Sequence, residues 1–380
     1  MKTSQIILAG ALLCAFALSL RAQTPDDAIR FEQEGKLAEA AQAWRAVTAR
    51  DPSDAAAFAA LGSVLSKERK YSDAAAAYRR ALALNPKLPG IELNLGLAEF
   101  KQGHFTAAAT ALRLALAEDP GSSQSRILLG MSYYGAKEFD LAVEYLEPEA
   151  KASPDNAELH ELLAQSCLWA KKYACAQEEF QRILEQNPDS AQAHILTGEA
   201  LDGLGRTEEA ISEFEAAAKI APQEPNLRFG LGYLYWKKER YDRAKQEFQT
   251  ELSIDPNNAQ ALAYLGDIAW KNDDADTALS FLNQARKVNS GLRIVQLDLG
   301  EIYLRQKNYP QAKVALKQAV QIDPSRPDAH YQLSRLYQSL GQKAEAEKEL
   351  QKVQELHKKA EENLVGKMAK SPPALDSPQQ

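Results

Sequence analysis

The sequence repeats itself every 34 residues, without a single insertion, across most of its 380 residues. Counted from three residues past the closing proline, copies begin at 55, 89, 123, 157, 191, 225, 259, 293 and 327, and a shorter copy precedes them. A fixed period of this length excludes one conventional globular core. Each copy is a supersecondary unit unable to bury its apolar face alone, and its neighbours in the stack supply the missing contacts. Apolar residues recur at helical spacing within the copies, so each reads as two helices joined by a turn.

Two columns stay small. The twentieth place is alanine in every copy, from Ala40 and Ala74 to Ala346, and the eighth is Gly62, Gly96, Gly130, Gly198, Gly232, Gly266 or Gly300, with Ala164 and Ser334 as substitutes. Two antiparallel helices need this where their backbones approach most closely. Large residues such as Trp44, Tyr78, Phe180, Phe214 and Phe248 fill the facing column of the second helix. Prolines such as Pro52, Pro86, Pro120, Pro256 and Pro324 are helix stops, because they lack an N–H and drive the preceding residue out of the α region. Pro89, Pro225 and Pro327 fall at the first place of a copy, where a fixed φ is expected to start the next helix. Ser290 replaces the usual proline, and with Ala275 in the turn it marks a softer joint. Pro148 is expected to end or bend its helix early.

These columns carry a resemblance. Over residues 24 to 356 the chain closely resembles tetratricopeptide repeat proteins. The resemblance implies an all-α, right-handed superhelical solenoid of about ten 34-residue helix-turn-helix units. In that family the first helices line a concave surface that binds proteins or peptides. The array covers 55–356 after a partial unit at 23–54, a capping extension of the last helix follows at 357–370, and 371–380 reads as a disordered tail. Residues 1–22 carry Lys2 and then an apolar run from Ile6 to Leu20, too short for a bilayer span and right for a secretory signal peptide.

Composition narrows the function. Charged residues are 26%, hydrophobic residues 45% and the net charge −7, which leaves no footprint for nucleic acid. No metalloprotease, hydrolase, phosphate-loop or dinucleotide motif is present, and the array leaves no room for a catalytic domain, so neither an enzyme nor a cofactor is expected. His160, His194 and His330 all stand at the fourth place of their copies, an architectural spacing that argues against a metal cluster. Cys167 and Cys175 face one another across a turn, and both a local disulfide and two small buried thiols remain open.

By the resemblance, the inner surface includes Phe100, Met131, Tyr134, Trp169, Phe229, Tyr233, Trp236, Trp270 and Tyr331. Three of the four tryptophans fall there, as anchors for a partner or as packing between adjacent first helices. Family members that capture C-terminal carboxylates use a lysine and asparagines, whereas Ala59 and Ser63 precede Asn94 here, so apolar or aromatic segments are the expected ligands. The expectation is an exported, noncatalytic bacterial scaffold, periplasmic or secreted, that meets a membrane only if the N-terminal segment is retained. The alternatives are a membrane-tethered assembly factor for secretion or outer-membrane machinery, and a noncatalytic subunit of an enzyme complex.

Overall fold

The computed structural model describes residues 24–370, with side chains through Asn363. The expected signal peptide at 1–22 and the expected tail at 371–380 lie outside the described residues. Regular structure among the described residues is α-helix, and the chain divides into two compact units, one ending at Pro188 and one beginning at Asp189. The N-terminal unit holds α1 (Pro25–Gln33), α2 (Leu37–Arg50), α3 (Ala55–Lys67), α4 (Tyr71–Leu84), α5 (Ile91–Lys101), α6 (Phe105–Glu118), α7 (Ser123–Gly135), α8 (Phe139–Ala152), α9 (Ala157–Trp169) and α10 (Tyr173–Gln186). The C-terminal unit holds α11 (Ala191–Gly203), α12 (Thr207–Ile220), α13 (Leu227–Lys237), α14 (Tyr241–Ile254), α15 (Ala259–Lys271), α16 (Ala275–Val288), α17 (Arg293–Arg305), α18 (Tyr309–Ile322), α19 (Pro327–Ser339) and α20 (Lys343–Lys370). The extension expected at 357–370 is thus continuous with α20.

Each copy of the repeat is one hairpin of adjacent helices. The small columns meet inside it. A Cβ placed on Gly130, Gly198 or Gly266 would lie 2.6 Å from the side chain of Leu146, Phe214 or Leu282, and the carbonyl of Ala142, Ala210 or Ala278 is close behind. Several first helices are started by side chains: Asp54, Ser122, Asn156, Ser190 and Asn258 each accept a hydrogen bond from the N–H three residues on.

Six of the joints between hairpins are closed by an Asx turn, in which an Asp or Asn side chain accepts the N–H two residues ahead. It occurs at Asp51, Asn85, Asp119, Asp255, Asn289 and Asp323. The proline occupies the middle of that turn. At Ser290 the turn persists without it, since Asn289 Oδ1 still accepts from Gly291 N at 2.9 Å, so the joint keeps its geometry where the sequence marks a softer one.

Two expectations about proline need correction. Pro89 and Pro225 do not start helices; they precede Gly90 and Asn226, which adopt φ of 72° and 65°, and α5 and α13 begin one residue later. Pro followed by Gly or Asn at positive φ is the signature of a type II turn, and Leu227 N donates to Glu224 O at 3.3 Å to close it. Of the three, Pro327 alone opens its helix. Pro148 does not end α8, which runs on to Ala152 with the proline inside it.

Every hairpin turn also holds one residue in the left-handed region, at 35, 69, 103, 137, 171, 205, 239, 273, 307 and 341. Four of these are glycine and six carry a side chain that pays a steric cost there. Replacing Glu239 (φ 58°) with glycine is therefore expected to stabilise the C-terminal unit by about 0.5–1 kcal/mol, the αL relief less the extra freedom of the unfolded chain. A urea midpoint that falls for Glu239→Gly would contradict this.

Candidate functional site

Ring packing differs between the two units. In the N-terminal unit Phe100 lies edge-on to Phe105 at 5.6 Å, and Met131 is half-buried. Tyr134 donates its hydroxyl to Gln165 Oε1 at 2.8 Å, which ties α7 to α9. Trp169 is 60% exposed and stacks on Phe139 at 6.1 Å, the most open tryptophan of the predicted set.

In the C-terminal unit the predicted residues converge. Phe229, Tyr233 and Trp236 of α13 form a nest with Tyr264 of α15: Phe229 stacks on Tyr233 at 6.4 Å, Tyr233 on Trp236 at 5.9 Å, and Trp236 meets the Tyr264 ring edge-on at 4.9 Å. Both tryptophans also bond to the next first helix. Trp236 Nε1 donates to Asp267 Oδ2 at 2.6 Å, and Trp270 Nε1 donates to Glu301 Oε2 at 3.1 Å. They therefore serve as packing between first helices while each stays half-buried rather than fully enclosed. Tyr331, on α19, is 49% exposed.

Beside the nest lies an open cavity of about 610 Å³ walled by α13, α15 and α17 and by the start of α19. Tyr233, Trp236, Tyr264 and Trp270 supply its rings, and five carboxylates and three cations supply its charge. Most of that charge is matched internally: Lys271 sits 3.4 Å from Asp267, and Arg293 pairs with Asp328. Glu301 accepts only from neutral donors, and Asp298 has least of all. Asp298 is 4% exposed, and its Oδ2 is buried with no hydrogen-bond partner. Burial, reinforced by Asp267 and Glu301, pushes its carboxyl well above the usual range. Burial raises Asp267 as well, although Trp236 and Lys271 oppose the shift, and burial pushes up the Tyr264 hydroxyl.

Sequence reasoning missed Tyr264 and Asp298, which share the sixth place of their copies. Elsewhere that place holds Ala60, Asn94, Leu128, Leu162, Leu196, Gly230 or Gln332, so an acid at Asp298 was a visible anomaly. The histidines behave as their spacing implied: Nδ1 of His160, His194 and His330 lies 2.5–2.6 Å from Glu179, Glu213 and Glu349 of the partner helix in the same hairpin. Arg228 makes the same bond to Glu247 at 3.1 Å. Cys167 and Cys175 are joined in a disulfide between α9 and α10, their Cα atoms 5.9 Å apart. Among the described residues no group of three or more His, Cys, Asp or Glu is placed to hold a metal ion, and no helix is long and apolar enough to cross a membrane.

Two family models, both described as tetratricopeptide repeat, match the chain. One matches residues 26–89, 60–123, 93–157, 127–176 and 170–225, the other 203–268 and 303–370. Among solved structures, the crystal structure of the APC/C hetero-tetramer Cut9-Hcn1 aligns with 17% identity over 86% of this chain and 71% of that chain, at a TM-score of 0.52. MamA 41-end from Desulfovibrio magneticus RS-1 aligns with 18% identity over 44% of this chain and 95% of that one, at a TM-score of 0.40. No curated protein sequence matches.

Proposed function

Because this chain belongs to the tetratricopeptide repeat family, whose members bind other proteins or peptides, we propose that it is a noncatalytic scaffold that holds apolar or aromatic segments on its first-helix faces. The observation that carries this reading is the nest of Phe229, Tyr233, Trp236 and Tyr264 beside an open cavity, with Trp270 at its far wall. Rings held rigidly by their neighbours anchor a ligand with little further loss of freedom. Trp169 and Tyr331, each about half exposed or more, are free to take the same role on their own helices.

Export belongs to the same proposal. Lys2 and the apolar run that follows it support a secretory signal, and the Cys167–Cys175 disulfide is in keeping with an oxidising compartment. The scaffold would then serve periplasmic or secreted proteins.

The test is capture of partners from a native envelope extract by the chain and by two double variants. Trp236→Ala with Trp270→Ala removes the rings, whereas Trp236→Phe with Trp270→Phe keeps a ring and drops only the N–H donors to Asp267 and Glu301. A partner retained by the parent and the phenylalanine variant but lost from the alanine variant supports the aromatic groove. Equal retention by all three rules it out.

A further inference from the structure

We propose that the cavity beside the aromatic nest receives a basic side chain, lysine or arginine, of the bound partner segment, with Asp298 as its counter-ion. The inference rests on the scaffold reading and adds the chemistry of one subsite to it.

The argument is a charge balance in a confined space. The cavity is bounded by Asp267, Asp298, Glu301, Asp323 and Asp328 against Lys271, Arg293 and Arg326. Asp267 and Asp328 are neutralised by Lys271 and Arg293. Asp323 is committed to the N–H and hydroxyl of Ser325, with Arg293 and Arg326 near enough to favour its charge. Glu301 accepts from Trp270 Nε1 and from Gln332 Nε2 at 2.8 Å, two neutral donors that leave its charge unmatched. Asp298 has a buried oxygen with no donor at all. A buried polar atom without a partner costs free energy that a well-packed site does not ordinarily retain. A ligand cation would remove that cost.

The walls favour a cation over any other polar group. Aromatic faces attract positive charge, and the protein already uses them so: Lys271 Nζ sits 5.9 Å from the centre of the Trp236 ring, and the Arg305 guanidinium is 5.1 Å from that of Trp270. An anion would meet two unmatched carboxylates. A purely apolar group would leave Asp298 buried and unpaired as before. A basic side chain is different: its methylene stem lies on Tyr233 and Tyr264 while its head reaches the carboxylate.

The experiment follows the four indole N–H signals of the full chain by nuclear magnetic resonance during titration with Nα-acetyl-lysine amide, Nα-acetyl-arginine amide and the uncharged Nα-acetyl-norleucine amide. Trp236 and Trp270 report on the cavity, and Trp44, whose indole donates to Glu32, is the internal control. Saturable shifts of the Trp236 and Trp270 signals are expected with the two basic probes and not with norleucine. Asp298→Asn should weaken the basic probes at least about tenfold, while Asp140→Asn, a change at an exposed carboxylate in the N-terminal unit, should leave them unchanged. Norleucine binding as well as lysine would overturn the basic occupant and leave the aromatic groove standing. Undiminished lysine binding to Asp298→Asn would overturn the counter-ion. No shift with any probe would overturn the subsite, and capture by the tryptophan variants would still decide the scaffold reading separately.

Discussion

Replacing Glu251 with alanine is expected to destabilise the C-terminal unit by about 3 kcal/mol, because one fully buried carboxylate serves three donors at once. Its Oε1 accepts from the backbone N–H of Asn226 at 2.9 Å and from Asn258 Nδ2 at 3.1 Å, and its Oε2 accepts from the N–H of Phe229 at 3.1 Å. The cause lies in the Pro225-Asn226 turn. Asn226 stands at the N-cap of α13 in a left-handed conformation and makes no capping bond of its own, so the first N–H groups of that helix need an acceptor from elsewhere. Glu251, reaching over from α14, supplies one, and its charge also suits the positive end of the α13 dipole. Asn258 extends the arrangement, since its Oδ1 caps α15 while its amide nitrogen bonds Glu251 and Asn226 Oδ1.

One substitution should therefore loosen the starts of both helices that carry the aromatic nest. Glu251→Gln keeps the shape but presents an NH₂ to one of the donors, and should cost less, about 1–2 kcal/mol. Urea unfolding gives the size of the effect and amide exchange gives its place. If Asn226 and Phe229 exchange no faster in Glu251→Ala than in the parent, the cap assigned to Glu251 is wrong.

Glu251 also shows where the sequence is readable and where it is not. The period, the alanine and glycine columns and the proline stops follow from short-range constraints: a backbone approach admits only small residues, and proline cannot continue a helix. These recur in every copy, so each copy checks the others. Exceptions have no such check. The place of Glu251 is Ala81, Ala115, Ala217, Ala285 or Ala319 in other copies, and Glu149 is a second departure, accepting from Ser123 and paired with Arg126. An acid in an apolar column announces that something is unusual there, but two of the three donors to Glu251 are backbone N–H groups at the start of another helix, and backbone donors leave no mark on a sequence. The same holds for the left-handed turn residue, which is glycine in only four of ten turns and so escapes a search by residue type. Asp298 was equally visible as an anomaly, and what it faces depends on how α15, α17 and α19 meet.

Gly266→Val should likewise cost about 3 kcal/mol, at the upper end of the overpacking range, and should disturb the cavity as well as the core. A Cβ at this glycine would stand 2.6 Å from Leu282 Cγ, 2.8 Å from its Cδ2 and 3.4 Å from the carbonyl oxygen of Ala278. Leu282 is fully buried, and Ala278 belongs to the α16 backbone, so neither can retreat without moving a helix. Alanine is a milder case: Ala164 occupies the equivalent place opposite Phe180, and the hairpin of α9 and α10 forms around it. Gly266→Ala is accordingly expected to cost about 1 kcal/mol. Valine adds two further carbons toward Leu282 and forces α15 away from α16. Because α15 carries Tyr264, Asp267, Trp270 and Lys271, that displacement is delivered to the cavity wall. The indole N–H of Trp270 should then shift as its bond to Glu301 lengthens, together with a lower urea midpoint for the C-terminal unit. A valine variant as stable as the parent, with the Trp270 signal unmoved, would mean that the hairpin has room to spare at this crossing and that the glycine column is kept small for another reason.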